Sequence, residues 1–122
     1  MMLAGVKVIE MGQNLAGPYG SQILADLGAD VIKVERPTGD DARGWGNKVT
    51  DNATTMFMTM NRNKKSVTVD MKSEEGRAHM RALLSNADIF LHNMRPGSLE
   101  KLGLDPVVVR AKWPRLIYCD IG

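Results

Sequence analysis

The chain has 122 residues, 43% hydrophobic and 25% charged, with 12 glycines and 5 prolines, which excludes a disordered, fibrous or low-complexity protein. Lys and Arg number 16 against 14 Asp and Glu, and a net charge of +2 is too small for the global field that holds proteins on nucleic acid. No nucleic-acid partner is expected, and any anion binding must be local.

In chain order, Val6–Glu10 is rich in β-branched residues and predicts a strand, followed by the Gly12–Gly17 loop. A helix is predicted from Pro18, with Ile23, Leu24 and Leu27 on its inner face and Gly28 at its end. Val31–Glu35 predicts a second strand, and a β-α-β unit this compact implies a parallel pair. Arg36–Asn52 reads as a long polar loop carrying Trp45, and Ala53–Met60 as a short helix. The methionines at 56, 58, 60 and 71 read as packing material rather than a metal site. Arg62, Lys64 and Lys65 form a basic knot expected to be a solvated turn, lacking aromatic neighbours for base stacking. Ser66–Asp70 predicts a third strand, and Ser73 caps a helix to about Asn86 with Met80, Leu83, Leu84 and Ala87 inward. Ile89–Leu91 is a fourth strand, Ser98–Leu102 a short helix closed by Gly103, Asp105-Pro106 the start of a helix to Lys112, and Leu116–Ile121 a fifth strand. The alternation predicts an α/β fold, a parallel sheet flanked by helices, with ligands at the carboxyl ends of the strands.

Lys7 and Glu10 interrupt the apolar start before it can serve as a signal-peptide core, and no apolar run reaches membrane-spanning length, so no membrane partner is expected. One cysteine, Cys119, admits no internal disulfide, and no Cys/His cluster has zinc spacing; a reducing, cytoplasmic location and no metal are expected. The glycines at 12, 17 and 20 do not make G-x-G-x-x-G, and no G-K-[ST] follows. Glu35 has the place of a ribose-binding acid, but Arg36 beside it points to phosphate. His79 and His92 lack a nucleophile motif and read as structural. What remains is a basic set at strand ends: Arg36, Lys72 and Arg95, with Lys101 a few residues on. In a parallel sheet these ends share one edge, where they would either converge on a polyanionic ligand or stand as separate solvated charges.

Gly5–Glu10, Ala16-Gly17-Pro18, Leu27–Pro37 with its Gly-Ala-Asp-Val-Ile-Lys-Val-Glu-Arg-Pro run, Asn61–Ser66, Ala87-Asp88 through Asn93–Gly97, and Pro114–Cys119 occur together in this order. Together they resemble the amino-terminal part of the family III CoA-transferases, which include formyl-CoA transferase, carnitine CoA-transferase and α-methylacyl-CoA racemase. The resemblance implies a Rossmann-like large domain, here residues 1–122 of it, with the small domain and the returning carboxyl-terminal segment absent. It implies coenzyme A or acyl-CoA as substrate, a carboxylic acid as co-substrate, and no tightly bound cofactor. Arg36 would contact the CoA nucleotide, Val69 and Lys72 would line the adenine and phosphates, Asn93, Met94 and Arg95 would hold the adenine and ribose-phosphate region, and Lys101 would add a phosphate contact. Asn14, Leu15 and Ala16 match the loop at the thioester and pantetheine end, where backbone N–H groups stabilise a carbonyl oxygen. Trp45 is similar to a residue at the active-site mouth of oxalate-using members, the alternative being a buried loop anchor.

Family chains are roughly three times longer, and their nucleophilic aspartate lies tens of residues past the place of Gly122, so the resemblance implies a CoA-binding fragment with no catalytic residue of its own. The aspartate forms an aspartyl-CoA intermediate, and full-length members are interlocked homodimers. Two other readings are a racemase-type member and a stand-alone nucleotide or polyanion-binding module. The Gln13-Asn14-Leu15 stretch varies with acyl specificity in the family and does not name the acid, and Asp120-Ile121-Gly122 departs from the usual Ser and glycine-rich continuation.

Overall fold

A computed structural model describes all 122 residues. The elements are β1 (Lys7–Glu10), α1 (Ala16–Asp26), β2 (Asp30–Glu35), a 3₁₀ turn at Asp41–Gly44, β3 (Lys48–Thr50), β4 (Ala53–Thr54), α2 (Thr55–Met60), β5 (Lys64–Thr68), α3 (Glu74–Ser85), β6 (Ile89–His92), a 3₁₀ turn at Glu100–Leu102, α4 (Pro106–Lys112) and β7 (Ile117–Asp120). Five strands form one parallel sheet in the order β5-β2-β1-β6-β7, and β3 and β4 make a small antiparallel hairpin. The chain runs outward from β1 through β2 to β5, then returns across it to β6 and β7. The order therefore reverses between β1 and β6, the place where open α/β sheets leave a crevice at their carboxyl ends.

Strand alternation sorts the two faces. Ile9, Val34 and Phe90 point to one side, where Met80 and Leu84 of α3 and Val109 of α4 close the main core. Val8 and Val31 point to the other side and meet Ala25 of α1 and Ala29. On that second side the next inward positions along β1 and β2 are Glu10 and Lys33, both buried. α3 starts as its sequence predicts: the Ser73 hydroxyl accepts from the Gly76 N–H at 2.9 Å. Gly76 admits nothing larger, since a Cβ there would lie 1.8 Å from the Asp70 carbonyl oxygen.

Several expectations are corrected. α1 begins at Ala16, and its buried face is Gly17, Pro18, Ser21, Gln22 and Ala25, leaving Ile23 and Leu27 exposed. The helix turns its small and polar side inward because Ser21 donates to the buried Glu10, and Gln22 accepts from the Arg62 N–H. The 36–52 segment is organised by the first 3₁₀ turn and by β3, whose hairpin partner β4 takes Ala53 and Thr54 from the predicted helix. None of the residues in α2 is buried, so of the four methionines only Met71 packs against the main core. The third strand begins two residues early, at Lys64, and one residue of the basic knot departs from a solvated turn: Arg62 and Lys65 are exposed, but the Lys64 side chain is 2% exposed and ion-paired with Glu10.

Candidate functional site

The carboxyl ends of β1, β2, β5 and β6 open onto two adjoining clefts of about 450 Å³ each. One is mainly apolar, lined by Met11, Val34, Val69, Met71, Met94 and Leu102, with Arg36 and Lys72 at its margin. The other is polar, lined by Gln13, Asn14, Leu15, Ala16, Asn93 and Arg95, with Asp41 and Ser98. Arg36 and Met94 border both, which makes one divided trough. The apolar half suits a flat ring system, with thioether and branched aliphatic groups against its faces. The polar half offers Arg95 and, beside it, the first turn of α1, whose N-terminus no side chain caps. Arg36 is exposed and already engaged, its guanidinium on the Asp41 carboxylate and on the Gly39 carbonyl at 3.1 Å.

The loop after β1 is held residue by residue. Glu10 accepts from the Gly12 N–H at 2.6 Å, and Lys33 donates to the Gly12 carbonyl at 3.3 Å. Asn93 Oδ1 accepts from the Gln13 N–H at 2.8 Å while its Nδ2 donates to the Gln13 carbonyl at 3.0 Å, a two-way clasp across the switch point. Asp40 accepts from the Asn14 N–H at 3.0 Å. Gly12 and Gly17 leave room for the Asn93 amide, since a Cβ on either would come within 3.0 Å of Asn93 Oδ1. Asn14 takes φ 60°, a left-handed conformation that asparagine tolerates, and its Oδ1 is buried with no hydrogen-bond partner. Beneath the loop, four buried charges alternate in sign. Lys33 Nζ lies 2.8 Å from Asp40 and 3.3 Å from Glu10, and Lys64 Nζ lies 2.8 Å from Glu10. Lys64 also donates to the Pro18 carbonyl and to Asn61, each at 2.8 Å, and burial pushes its ammonium below the usual lysine range.

Comparison with known proteins identifies this architecture: residues 3–122 match CoA-transferase family III. The chain belongs to that family. It is 44% identical to the succinate–glutarate CoA-transferase of Agrobacterium fabrum, covering 98% of this chain and 32% of that protein. It is 46% identical to a probable fatty acyl-CoA transferase of Mycobacterium tuberculosis, covering 98% of this chain and 31% of the other. The crystal structure of a CaiB/BaiF family protein from Brucella suis superimposes with a TM-score of 0.89 at 45% identity, over 96% of this chain and 32% of that one. The chain thus spans about a third of the length of the relatives it matches.

Of the residues that the sequence assigns to the family's coenzyme site, Asn14, Leu15, Ala16, Arg36, Val69, Lys72, Asn93, Met94 and Arg95 line the trough. Trp45 and Lys101 do not line either half, and Trp45 is 47% exposed, which corrects the alternative reading of it as a buried anchor. Asn93 has its amide turned onto the Gln13 backbone, so its geometry is that of a loop clasp. Glu35 is taken up structurally. Burial opposes its ionisation, but the Arg43 guanidinium, the Ser66 hydroxyl and the Asp40 N–H hold its pKa at about 2. His79 is exposed and His92 is buried. Met11, Met71 and Asp41 are trough residues that the sequence reading missed. The two methionines follow β1 and β5 almost directly, which was an available signal; Asp41 is brought there by the 3₁₀ turn, which was not.

Proposed function

We propose that the trough binds coenzyme A and its thioesters, and that this chain is the amino-terminal, CoA-binding portion of an enzyme moving CoA between an acyl-CoA and a carboxylic acid. The observation that carries the reading is the junction of an apolar half with a polar, arginine-bearing half at the switch point of the sheet, in a chain of this family. Adenine would lie among Val69, Met71 and Met94, phosphates would meet Arg36, Lys72 and Arg95, and Lys101 would reach the nucleotide from outside. The pantetheine arm would run toward Asn14, Leu15 and Ala16. There the uncapped N–H groups of α1 would face a thioester carbonyl as negative charge develops on its oxygen. Trp45 would lie toward the acyl end.

In the whole protein, an aspartate outside this chain would attack the thioester carbonyl, releasing CoA thiolate and forming a mixed anhydride. The thiolate would then attack the aspartyl carbonyl, releasing the donor acid and leaving aspartyl-CoA. The acceptor carboxylate would run the same two steps in reverse, so atoms and charge balance. The relatives' transferase names favour this over the racemase alternative. The 122-residue chain alone is expected to bind CoA without catalysis, and the whole protein to be a cytoplasmic homodimer. Calorimetric titration with CoA tests the site: binding should weaken in Arg36→Ala and Arg95→Ala. No binding by the wild-type chain, binding indifferent to both changes, or CoA exchange catalysed by this chain alone would overturn the proposal. Equal affinity for inorganic pyrophosphate would favour a general polyanion module instead.

A further inference from the structure

We propose that His92 is a positioning residue for the trough: its bare Nδ1 holds the Met94 N–H and thereby the wall that both halves share, and a proton on that nitrogen releases the wall. The inference rests on the coenzyme reading for its functional meaning, but its first readout needs no ligand.

His92 ends β6 and is 4% exposed. The Met94 N–H donates to Nδ1 at 3.1 Å. On the other side of the ring, Nε2 lies 3.0 Å from the Tyr118 hydroxyl, and that hydroxyl donates its only proton to the Leu104 carbonyl at 2.7 Å. A hydroxyl that donates elsewhere can only accept from the ring, so Nε2 carries the hydrogen and Nδ1 is the free acceptor. The neutral Nε2–H tautomer is therefore imposed from both sides. Its one acceptor position is used on the backbone of Met94, which borders both clefts and is followed directly by Arg95.

A proton at Nδ1 would set two donors 3.1 Å apart and turn the contact from attraction to repulsion. A second acceptor waits nearby, Asp120 Oδ1 at 3.9 Å from Nδ1, so the ring has an alternative partner once charged. The titratable and charged groups around it are Asp120 and Tyr118 of β7, Glu100 of the second 3₁₀ turn, Asp105 ahead of α4 acting on Tyr118, and Arg95 on its own loop. Burial pushes the imidazole below its ordinary range, against the pull of Asp120 and Glu100, so the clamp is closed at neutral pH and opens on acidification.

Nitrogen-15 NMR of the ligand-free chain tests the clamp. At neutral pH, His92 should show the Nε2–H tautomer and the Met94 amide should be shifted downfield and slow to exchange. Both should change together on acidification, with an apparent pKa below that of a solvated imidazole. An Nδ1–H tautomer at neutral pH, or a Met94 amide indifferent to the His92 titration, would refute it. CoA titration supplies the functional arm. His92→Asn places an oxygen as many bonds from Cα as Nδ1 and should stay within about twofold of wild-type affinity, without the acid loss. His92→Leu and His92→Gln remove that acceptor and should weaken binding about tenfold. Equal loss in the Asn and Leu variants overturns the proposal. A coupled His92–Met94 titration in a chain that binds no CoA supports the clamp and overturns the coenzyme reading.

Discussion

Replacing Lys33 by Met should destabilise the chain by about 3–5 kcal/mol, although it exchanges a buried charge for an apolar side chain. Lys33 Nζ lies 2.8 Å from Asp40 and 3.3 Å from Glu10. At an effective dielectric of about 20 those separations correspond to attractions of about 6 and 5 kcal/mol, most of which dehydration of the ions and repulsion from Lys64 cancel. The cancellation fails once the lysine alone is removed. Glu10 and Asp40 then share a single ammonium, Lys64, and the Gly12 carbonyl loses a donor. Asp40→Asn in the same background restores neutrality and keeps Oδ1 as acceptor for the Asn14 and Ala42 N–H groups. Urea unfolding of the wild type, both single variants and the double variant gives the coupling directly. The double variant should recover at least about 2 kcal/mol relative to the sum of the single changes. A cost below about 1 kcal/mol for Lys33→Met, or strict additivity, would refute the argument that these charges stabilise one another as a closed set.

Glu35 has a folded pKa of about 2 against 4.5, so the stability it contributes is complete above about 4.5 and is lost as pH falls toward 2. The loss should be on the order of 3 kcal/mol in urea midpoints across that window; if Glu35→Gln tracks the wild type there, the assignment is wrong. Gly76→Ala should cost more than about 2 kcal/mol, because its Cβ would enter the Asp70 carbonyl, while Gly44→Ala, facing open space, should stay within about 0.5. Thermal unfolding that ranks the two alike would contradict this. Asp41→Asn frees Arg36 from an exposed ion pair and should raise CoA affinity about two- to fivefold, as the pair's modest strength allows. Weaker CoA binding by this variant would show that Asp41 positions Arg36 rather than competing with the ligand.

The five strands of the parallel sheet and α3 are legible in the sequence because their signals are local. Val31–Glu35 is β-branched and bounded by glycine and proline, and Ser73 stands where its hydroxyl meets the Gly76 N–H. The strand-end placing of Arg36, Lys72 and Arg95 follows from the same reading, since a parallel sheet gathers those ends. Apolar spacing places Ile23 and Leu27 on the inner face of α1, whereas this helix covers charged groups and presents Ser21 and Gln22. Lys64 departs from its local pattern for a related reason. A lysine beside Arg62 and Lys65 looks solvated until Glu10, 54 residues earlier, is placed against it.

The alternation of strands and helices, the family and the basic character of the strand ends are written in the order of residues, because each depends on residue type and near-neighbour spacing. Which polar groups are buried together is visible only in the folded chain: Glu10, Lys33, Asp40 and Lys64 beneath the loop, Asn93 clasping Gln13, and His92 between Met94 and Tyr118. Those partners come from different strands and loops. The worth of a buried charge or hydrogen bond depends on what stands within about 3 Å of it, which no local pattern records.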